Sequence, residues 1–383
     1  MRGAKAPRVA LKEAGWHLAR RARGAVRRRL VERRLRAGGA LRPGPRWVQV
    51  GIDDRCNYRC AMCRTHSYLA AGPESKQVLP RDVFDRVMNE LHALGTQSVD
   101  VCGFGEPLLR PDALDMLRLI KGLGMECQLI TNGSLLEPQV SEQLVDMGLD
   151  RLRISINSGR DETHHAITQA PLGERTRIMQ EARRILQCRQ QRGSATPVVA
   201  VTIAVQKENY RELGLLAREV AEIGLDNLEF LPLGINEASR DLALTPEEQA
   251  EVRRQVEEAD ALLRALGKTT TAADFLSRPP ETYWTKELFD RIPCYVGQFF
   301  CRINANGDVN PCCPSVRVLG NVLERSFQEI WSSPAYRAFR REALALPERR
   351  SPVAECYCYN CYHHPFITEY HTNLTAGRLQ ALF

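Results

Sequence analysis

From Trp47 to about Leu231 the chain alternates two patterns: short apolar runs, and longer segments in which apolar residues recur every three or four positions. The short runs predict strands at Val48 to Ile52, Ser98 to Cys102, Glu126 to Ile130, Arg153 to Ile156, Val198 to Val205 and Asn227 to Leu231. Between them, Val83, Phe84, Val87, Met88, Leu91 and Leu94 share one face of a predicted helix, as do Leu114, Leu117 and Ile120, and later Leu213, Leu216, Val220 and Ile223. Six strands alternating with helices predict an α/β fold, a partial (β/α)6 TIM-like barrel over residues 47–240.

The pattern then changes. Thr245, Pro246 and Glu248 make a capping-box helix start, opening a charged helix to about Leu266 in a bridging segment over 241–290. Beyond Pro293, the runs Phe299 to Asn304 and Val309 to Cys313 flank Ala305, Asn306, Gly307 and Asp308, which predicts a hairpin turning at Asn-Gly. A helix around Ser326 to Arg341 follows, with Phe327, Ile330 and Trp331 as its buried face. The prediction is a small C-terminal hairpin-plus-helix domain over 291–365 and a tail over 366–383. No repeat of fixed period is present.

Charge alters the view of the front end only. The chain carries a net +7, but residues 1–46 hold 15 Lys or Arg against Glu13 and Glu32, so the remainder is acidic. Leu11, Leu18, Ala22, Ala25 and Leu30 recur among the arginines at near-helical spacing, which predicts a basic helical extension ending near Gly38 and Gly39. Such a helix lies on the domain, or holds RNA, an acidic peptide or a lipid surface. The longest apolar stretches are about eight residues, against about 20 for a membrane span, and no signal-peptide pattern opens the sequence. Thirteen cysteines, odd in number and clustered, argue against a secreted disulfide framework and for reduced thiolates in the cytoplasm.

The chemistry concentrates in those cysteines. Cys56, Cys60 and Cys63 stand just after the first predicted strand at spacing C-x3-C-x2-C. A [4Fe–4S] cube has four iron corners, so three thiolates on one loop leave an iron open to a small chelating molecule. A zinc loop usually combines two separated ligand pairs, and a redox pair needs only C-x2-C, so neither accounts for the third cysteine. Here the chain resembles the radical S-adenosylmethionine (SAM) enzymes, whose defining loop has this spacing at the carboxyl end of the first strand of a partial barrel. Gly103, Phe104, Gly105, Glu106 and Pro107 match the family's Gly-Gly-Glu-Pro element, with Phe104 in place of a glycine. The resemblance implies that Gly103, Gly105 and Glu106 hold the SAM amino group, that Ser155 and Asn157 address its ribose and carboxylate, and that Met62 lies by the adenine. It also places Thr202, Ala204 and Leu231 along the same pocket. The implied activity is reductive cleavage of SAM to a 5′-deoxyadenosyl radical that takes hydrogen from an unactivated C–H bond.

Seven further cysteines follow residue 290. Cys294, Gly307 and Cys312 are similar to the C-x(9–15)-G-x4-C opening of the SPASM and twitch extensions of that family, and Cys358 and Cys361 add C-x2-C. The resemblance implies one auxiliary [4Fe–4S] cluster on Cys294, Cys312, Cys358 and Cys361, since the longer two-cluster run is absent. Cys301, Cys313 and Cys356 are then spare, with Cys313 or Cys356 able to replace a neighbour; a four-cysteine zinc site is the alternative. Cys102, Cys127 and Cys188 read as buried apolar residues, and Tyr357, Tyr359 and Tyr362 as a shield for the cluster. Surface and substrate roles remain equally open for the pairs His164–His165 and His363–His364.

The leading expectation is an oxidoreductase-type radical SAM enzyme that dehydrogenates or cross-links its substrate, passing an electron to the auxiliary cluster. A peptide-recognition domain of the kind many peptide modifiers carry does not fit in the first 46 residues, which favours a small natural-product or sugar-like substrate over a peptide. A reductant such as flavodoxin or ferredoxin is implied. The alternatives are a peptide, protein or RNA target held by the basic front, with nucleic acid less favoured, and a cluster- or zinc-bearing scaffold without turnover.

Overall fold

In the computed structural model of the protein, which describes residues 29–69, 75–234, 239–277, 289–313, 315–356, 361 and 363–378, the six expected strands are all present. They are β1 (Trp47–Val50), β2 (Ser98–Val101), β3 (Glu126–Thr131), β4 (Arg151–Ser155), β5 (Val198–Val205) and β6 (Asn227–Pro232). Each pairs in parallel with the next. Helices α1 (Arg81–Ala93), α2 (Ala113–Gly122), α3 (Pro138–Asp146), α4 (Asp161–Thr168), α5 (Glu174–Gln191) and α6 (Leu213–Ile223) fill the crossovers. Strand alternation decides which side chains go where. Val48, Val50, Val99, Val101, Leu129, Leu152 and Ile154 are completely buried in the main apolar core. Phe84, Val87, Met88 and Leu91 of α1 join them there, as do Met116, Leu117 and Ile120 of α2. Gln49, Asp100, Gln128 and Arg153 occupy the alternate positions and line the barrel interior.

The charged helix α7 (Pro246–Ala265) starts at the expected capping box, with Thr245 accepting from Glu248 N–H and the Glu248 side chain accepting from Thr245 N–H. It leads to a two-residue strand, β7 (Thr269–Thr270), which the sequence pattern did not predict and which pairs in parallel with β6. A short helix α8 (Ala272–Leu276) follows.

The expected hairpin forms from β8 (Phe300–Ile303) and β9 (Asp308–Asn310), antiparallel, with Gly307 at φ +83°. A positive φ costs glycine little. The second strand is shorter than predicted: Pro311, which has no N–H to donate, follows Asn310, so Cys312 and Cys313 lie beyond the ladder. β8 also pairs in parallel with β1, Trp47 opposite Phe300 through Val50 opposite Ile303. The hairpin therefore extends the barrel sheet, whose order is β10-β9-β8-β1-β2-β3-β4-β5-β6-β7, with β10 (Gly320–Asn321) at the edge. The single helix expected over Ser326 to Arg341 is two: α9 (Phe327–Trp331), capped by Ser326, and α10 (Pro334–Leu344), capped by Ser333. Pro334 at the first turn of the second helix accounts for the break, since it cannot continue the first. Phe327, Ile330 and Trp331 are buried as expected.

A last helix, α11 (His364–Thr375), buries Ile367, Tyr370 and Leu374. At the front, a helical stretch over 29–36 ends before Gly38, and Val31, Leu35 and Leu41 are buried. Leu41 N–H donates to Gln298 Oε1 (3.0 Å) and the Gln298 amide donates back to Gly39 O (3.2 Å), so this arm packs on the segment leading into β8. Residues 1–28 of the expected basic helix lie outside the described residues. Among those described, no helix is long and apolar enough to cross a membrane.

Candidate functional site

The chain leaves β1 at Val50 as a loop carrying Cys56, Cys60 and Cys63. The far side of that loop is pinned to the end of α4, with Arg59 N–H donating to Thr168 O (3.1 Å) and Ala61 N–H to Ile167 O (2.7 Å). Its near side is pinned to the turn after β2, where the Thr65 hydroxyl donates to Phe104 O (3.0 Å). Backbone donors face two of the sulfurs: Tyr58 N–H lies 3.4 Å from Cys56 Sγ and His66 N–H 3.3 Å from Cys63 Sγ. Burial, and then the neighbouring thiols, push the Cys60 thiol well up; burial pushes Cys56 up to about 11, helped by Glu106 and Cys63. The three thiols thus lie within electrostatic reach of one another.

Among the described residues no three His, Cys, Asp or Glu side chains, these cysteines included, converge closely enough to hold a single metal ion. A lone zinc would draw four donors to about 2.0–2.3 Å, whereas a cube accepts thiolates at separate corners. Three neighbouring thiols that do not converge on one ion, with amide donors on two of the sulfurs, fit separate corners of the cube, and donors of that kind tune its potential.

The turn after β2 lies directly on this loop. A methyl group at Gly103 would sit 2.8 Å from Gly51 Cα, and one at Gly105 would drive into Arg55 O and Asp53 O. Glycine at both positions is therefore a requirement of close backbone approach. Glu106 is buried with its carboxylate occupied: Oε1 accepts from Leu108 N–H (3.1 Å) and the Thr131 hydroxyl (2.7 Å), and Oε2 from Asn132 N–H (2.7 Å). Inside this fold it braces the turn against β3, which leaves little of its acceptor capacity for an incoming ammonium. Asn157 Oδ1 accepts from Ala204 N–H (2.9 Å), tying the ends of β4 and β5, and Ser155 is half-buried at the end of β4. Met62 packs against Ala61, Leu233 and Leu242.

Sequence reasoning overlooked Asn132. Its side chain donates to Asn57 Oδ1 (2.9 Å), reaches Cys56 Sγ at 3.9 Å, and accepts from Ser134 N–H (2.8 Å). The one available signal was the Asn-Gly pair, Asn132–Gly133, closing the third apolar run.

Four described thiols of the C-terminal region lie close together. The thiols of Cys361 and Cys356 are electrostatic neighbours of Cys294, and Cys356 is hydrogen-bonded to Cys312. That bond, then burial, pushes Cys312 well up. The Ser315 hydroxyl also lies 3.1 Å from Cys356 Sγ. Cys358, Tyr357, Tyr359 and Tyr362 lie outside the described residues. Of the spare thiols, Cys301 is fully buried on β8 beside Tyr336, and Cys313 donates to Gln49 Oε1 (3.2 Å) and faces His363 Nε2 (3.6 Å). Cys102, Cys127 and Cys188 are buried, and no described cysteine is in a disulfide. His164 is also fully buried, pushed down to about 4 by that burial, so it is a core residue.

The barrel interior holds a cavity of about 980 Å³ that reaches from Trp47, Ser98 and Arg151 at the strand starts up to Cys313. Its polar wall includes Gln49, Asp100, Gln128, Arg153 and Glu229. Arg153 pairs with Glu229 at 2.5 Å, while burial pushes the Asp100 carboxyl up to about 7 against the pull of Arg153.

Residues 52–220 match the radical SAM superfamily and residues 294–362 match SPASM, an iron-sulfur cluster-binding domain. The chain is 24% identical over 315 residues to the tungsten-containing aldehyde ferredoxin oxidoreductase cofactor-modifying protein of Pyrococcus furiosus, covering 77% of this chain and 83% of that protein. It is 26% identical over 310 residues to the AdoMet-dependent heme synthase of Methanosarcina barkeri, covering 77% and 84%. Among solved structures, Streptococcus suis SuiB bound to S-adenosylmethionine aligns with a TM-score of 0.61 at 17% identity, over 78% of this chain and 68% of SuiB. SuiB bound to the precursor peptide SuiA aligns with a TM-score of 0.60 at 17% identity, over 88% and 73%.

Proposed function

This chain belongs to the radical SAM superfamily and carries a C-terminal SPASM domain, and we propose that it oxidises a small-molecule substrate, using the second thiol group to hold an electron-accepting cluster. A [4Fe–4S] cluster, SAM and an auxiliary iron-sulfur cluster are its cofactors. When bound, they supply one-electron cleavage of the sulfonium, a nucleoside radical that takes a hydrogen atom from a C–H bond, and a sink for the electron the substrate then loses. The substrate gives up one hydrogen atom, then one electron and one proton, and leaves two hydrogens lighter.

The chain's own residues divide that work. Cys56, Cys60 and Cys63 hold the first cluster, with Tyr58 and His66 N–H donating to its thiolates. Gly103 and Gly105 keep the backbone close enough for the turn to seat the SAM amino group, with Glu106 bracing it. Met62 would lie by the adenine, and Ser155 and Asn157 would address the ribose and carboxylate. Cys294, Cys312, Cys358 and Cys361 hold the second cluster, with Cys356 as the competitor for the fourth place. A substrate in the barrel interior meets Gln49, Asp100 and Arg153, groups suited to a polar small molecule.

One observation carries the oxidative reading. Because β8 pairs residue by residue with β1, the hairpin that leads to Cys312 is fixed to the strand that leads to Cys56. Fixed placement is what electron transfer between a substrate radical and an acceptor requires. The relatives named above are a cofactor-modifying protein, a heme synthase and a protein bound to a precursor peptide, so they do not choose the substrate. The test is anaerobic reconstitution followed by SAM and dithionite. About eight irons per chain, 5′-deoxyadenosine that disappears in Cys60→Ala, and a product two hydrogens lighter from a pool of polar metabolites are expected. Nucleoside formation with products of unchanged oxidation state would remove the oxidative part.

A further inference from the structure

Arg302 is a buried cation with no role in the scheme above. It projects from β8 with its guanidinium 4.2 Å from the ring centroid of Phe104, in the turn after β2. Nη1 donates to Cys313 O at 2.6 Å. One side chain thus touches the turn that seats SAM and the residue next to Cys312. It is 8% exposed, and its Nε has no partner. Among the described residues no carboxylate stands within ion-pair distance of it. Asp54 feels its charge without pairing with it: its Oδ2 accepts from the Ser75 hydroxyl, and its Oδ1, though buried without a hydrogen-bond partner, makes no ion pair with Arg302. Arg64 adds like charge, and the neighbours that would welcome a cation are the thiols of Cys313, Cys102 and Cys312.

A buried charge without a counter-charge is expensive, so an arginine kept there implies an anion beside it. Cys312 names that anion. A cube held by four thiolates is negatively charged and gains one more negative charge on reduction, which a nearby cation favours. We infer that Arg302 is the counter-cation of the auxiliary cluster and raises its reduction potential, making it a better electron acceptor. This rests on the reading of the second thiol group as cluster ligands.

The test is an EPR redox titration of the full-length protein with both clusters loaded. The signal followed is the one that SAM addition leaves unchanged, since a cluster with no open iron cannot bind SAM. At the parent's midpoint, Arg302→Gln should lower the ratio of reduced to oxidised cluster at least tenfold, about 59 mV for one electron, while Arg302→Lys stays within about threefold. Cys102→Asp, which sets a carboxylate beside the untouched guanidinium, should fall with Arg302→Gln; together with the lysine variant it decides the matter if Arg302→Gln loses iron. An unchanged ratio in the charge-removing variants overturns the inference. So does an equal fall in Arg302→Lys, which would mean that shape and not charge is at work. Failure of the oxidative reading would appear separately, as the missing two-hydrogen-lighter product, with the potentials as stated.

Discussion

The backbone N–H of Asn132 donates to Glu106 while its side chain holds Asn57 and reaches Cys56, so one residue after β3 ties the cysteine loop to the turn after β2. Partners of metal ligands at this remove commonly change affinity or activity by about 10–100-fold when lost. Asn132→Ala should therefore release iron to a chelator at least about tenfold faster and slow 5′-deoxyadenosine formation by a similar factor, with circular dichroism unchanged. Iron release at the parental rate would show that the 3.9 Å contact is incidental. A second residue-scale question is the fourth auxiliary ligand. Cys358 completes a C-x2-C pair with Cys361, whereas Cys356 is hydrogen-bonded to Cys312. The pair is the better ligand turn, since it offers two thiolates from adjacent backbone. Cys358→Ala should leave about four irons per chain and Cys356→Ala about eight, and the reverse result would give the position to Cys356.

At the level of elements, the six barrel strands were legible because each is long enough, four to eight residues, to show an apolar or alternating run. Val198–Val205 is the clearest case: apolar but for Thr202, it reads as a core strand without any help from its neighbours. β7 and β10 were not legible because two residues carry no period, and they exist only through their partners in other strands, Asn227 and Leu228 for β7 and Asp308 and Val309 for β10. The same reason hid the role of Asn132, which depends on β3 lying two strands from β1. The three-cysteine loop was legible because its ligands are local. The barrel's inner face makes a prediction of its own. Asp100 sits on β2 facing Arg153 and Arg151, with Trp47 and Gln128 beside it, and burial outweighs them to push its carboxyl up to about 7. Between about pH 4 and 7 the folded chain keeps a proton that the unfolded chain has released, so stability falls as pH rises through that window and levels off above it. Asp100→Asn removes this slope. Relative to the parent it should gain up to about 1.4 kcal/mol per pH unit across the window, read from urea midpoints at several pH values. Parallel stability profiles for the two proteins would show that Asp100 is no more costly to ionise in the fold than outside it.

For the whole molecule, the decisive contact is the parallel pairing of β8 with β1, because it makes the C-terminal unit part of the barrel. Trp47 packs on Phe300 with ring centroids 4.7 Å apart, Gln298 clasps the arm at Gly39 and Leu41, and Arg86 and Glu90 of α1 bond Val322 and Phe327 across the same boundary. The arm is thus partly structural: Val31, Leu35 and Leu41 are buried, while the arginine-dense residues 1–28 precede them. Removing residues 1–28 should leave the fold and nucleoside formation intact at low salt; a large loss of turnover that depends on salt would favour an anionic macromolecular target. Removing residues 294–383 is a different matter. It bares the hydrogen-bonding edge of β1, the strand that delivers Cys56, and uncovers apolar residues that β8 and α9 bury. If the SPASM region were a bolt-on module, the shortened chain would still fold and hold about four irons. The shared sheet predicts instead an aggregating chain with well under four irons, because the loop after β1 is only as ordered as the strand it springs from. Iron content and gel filtration of the shortened protein decide between the two, and a soluble monomer with a full first cluster would show that β1 does not need β8.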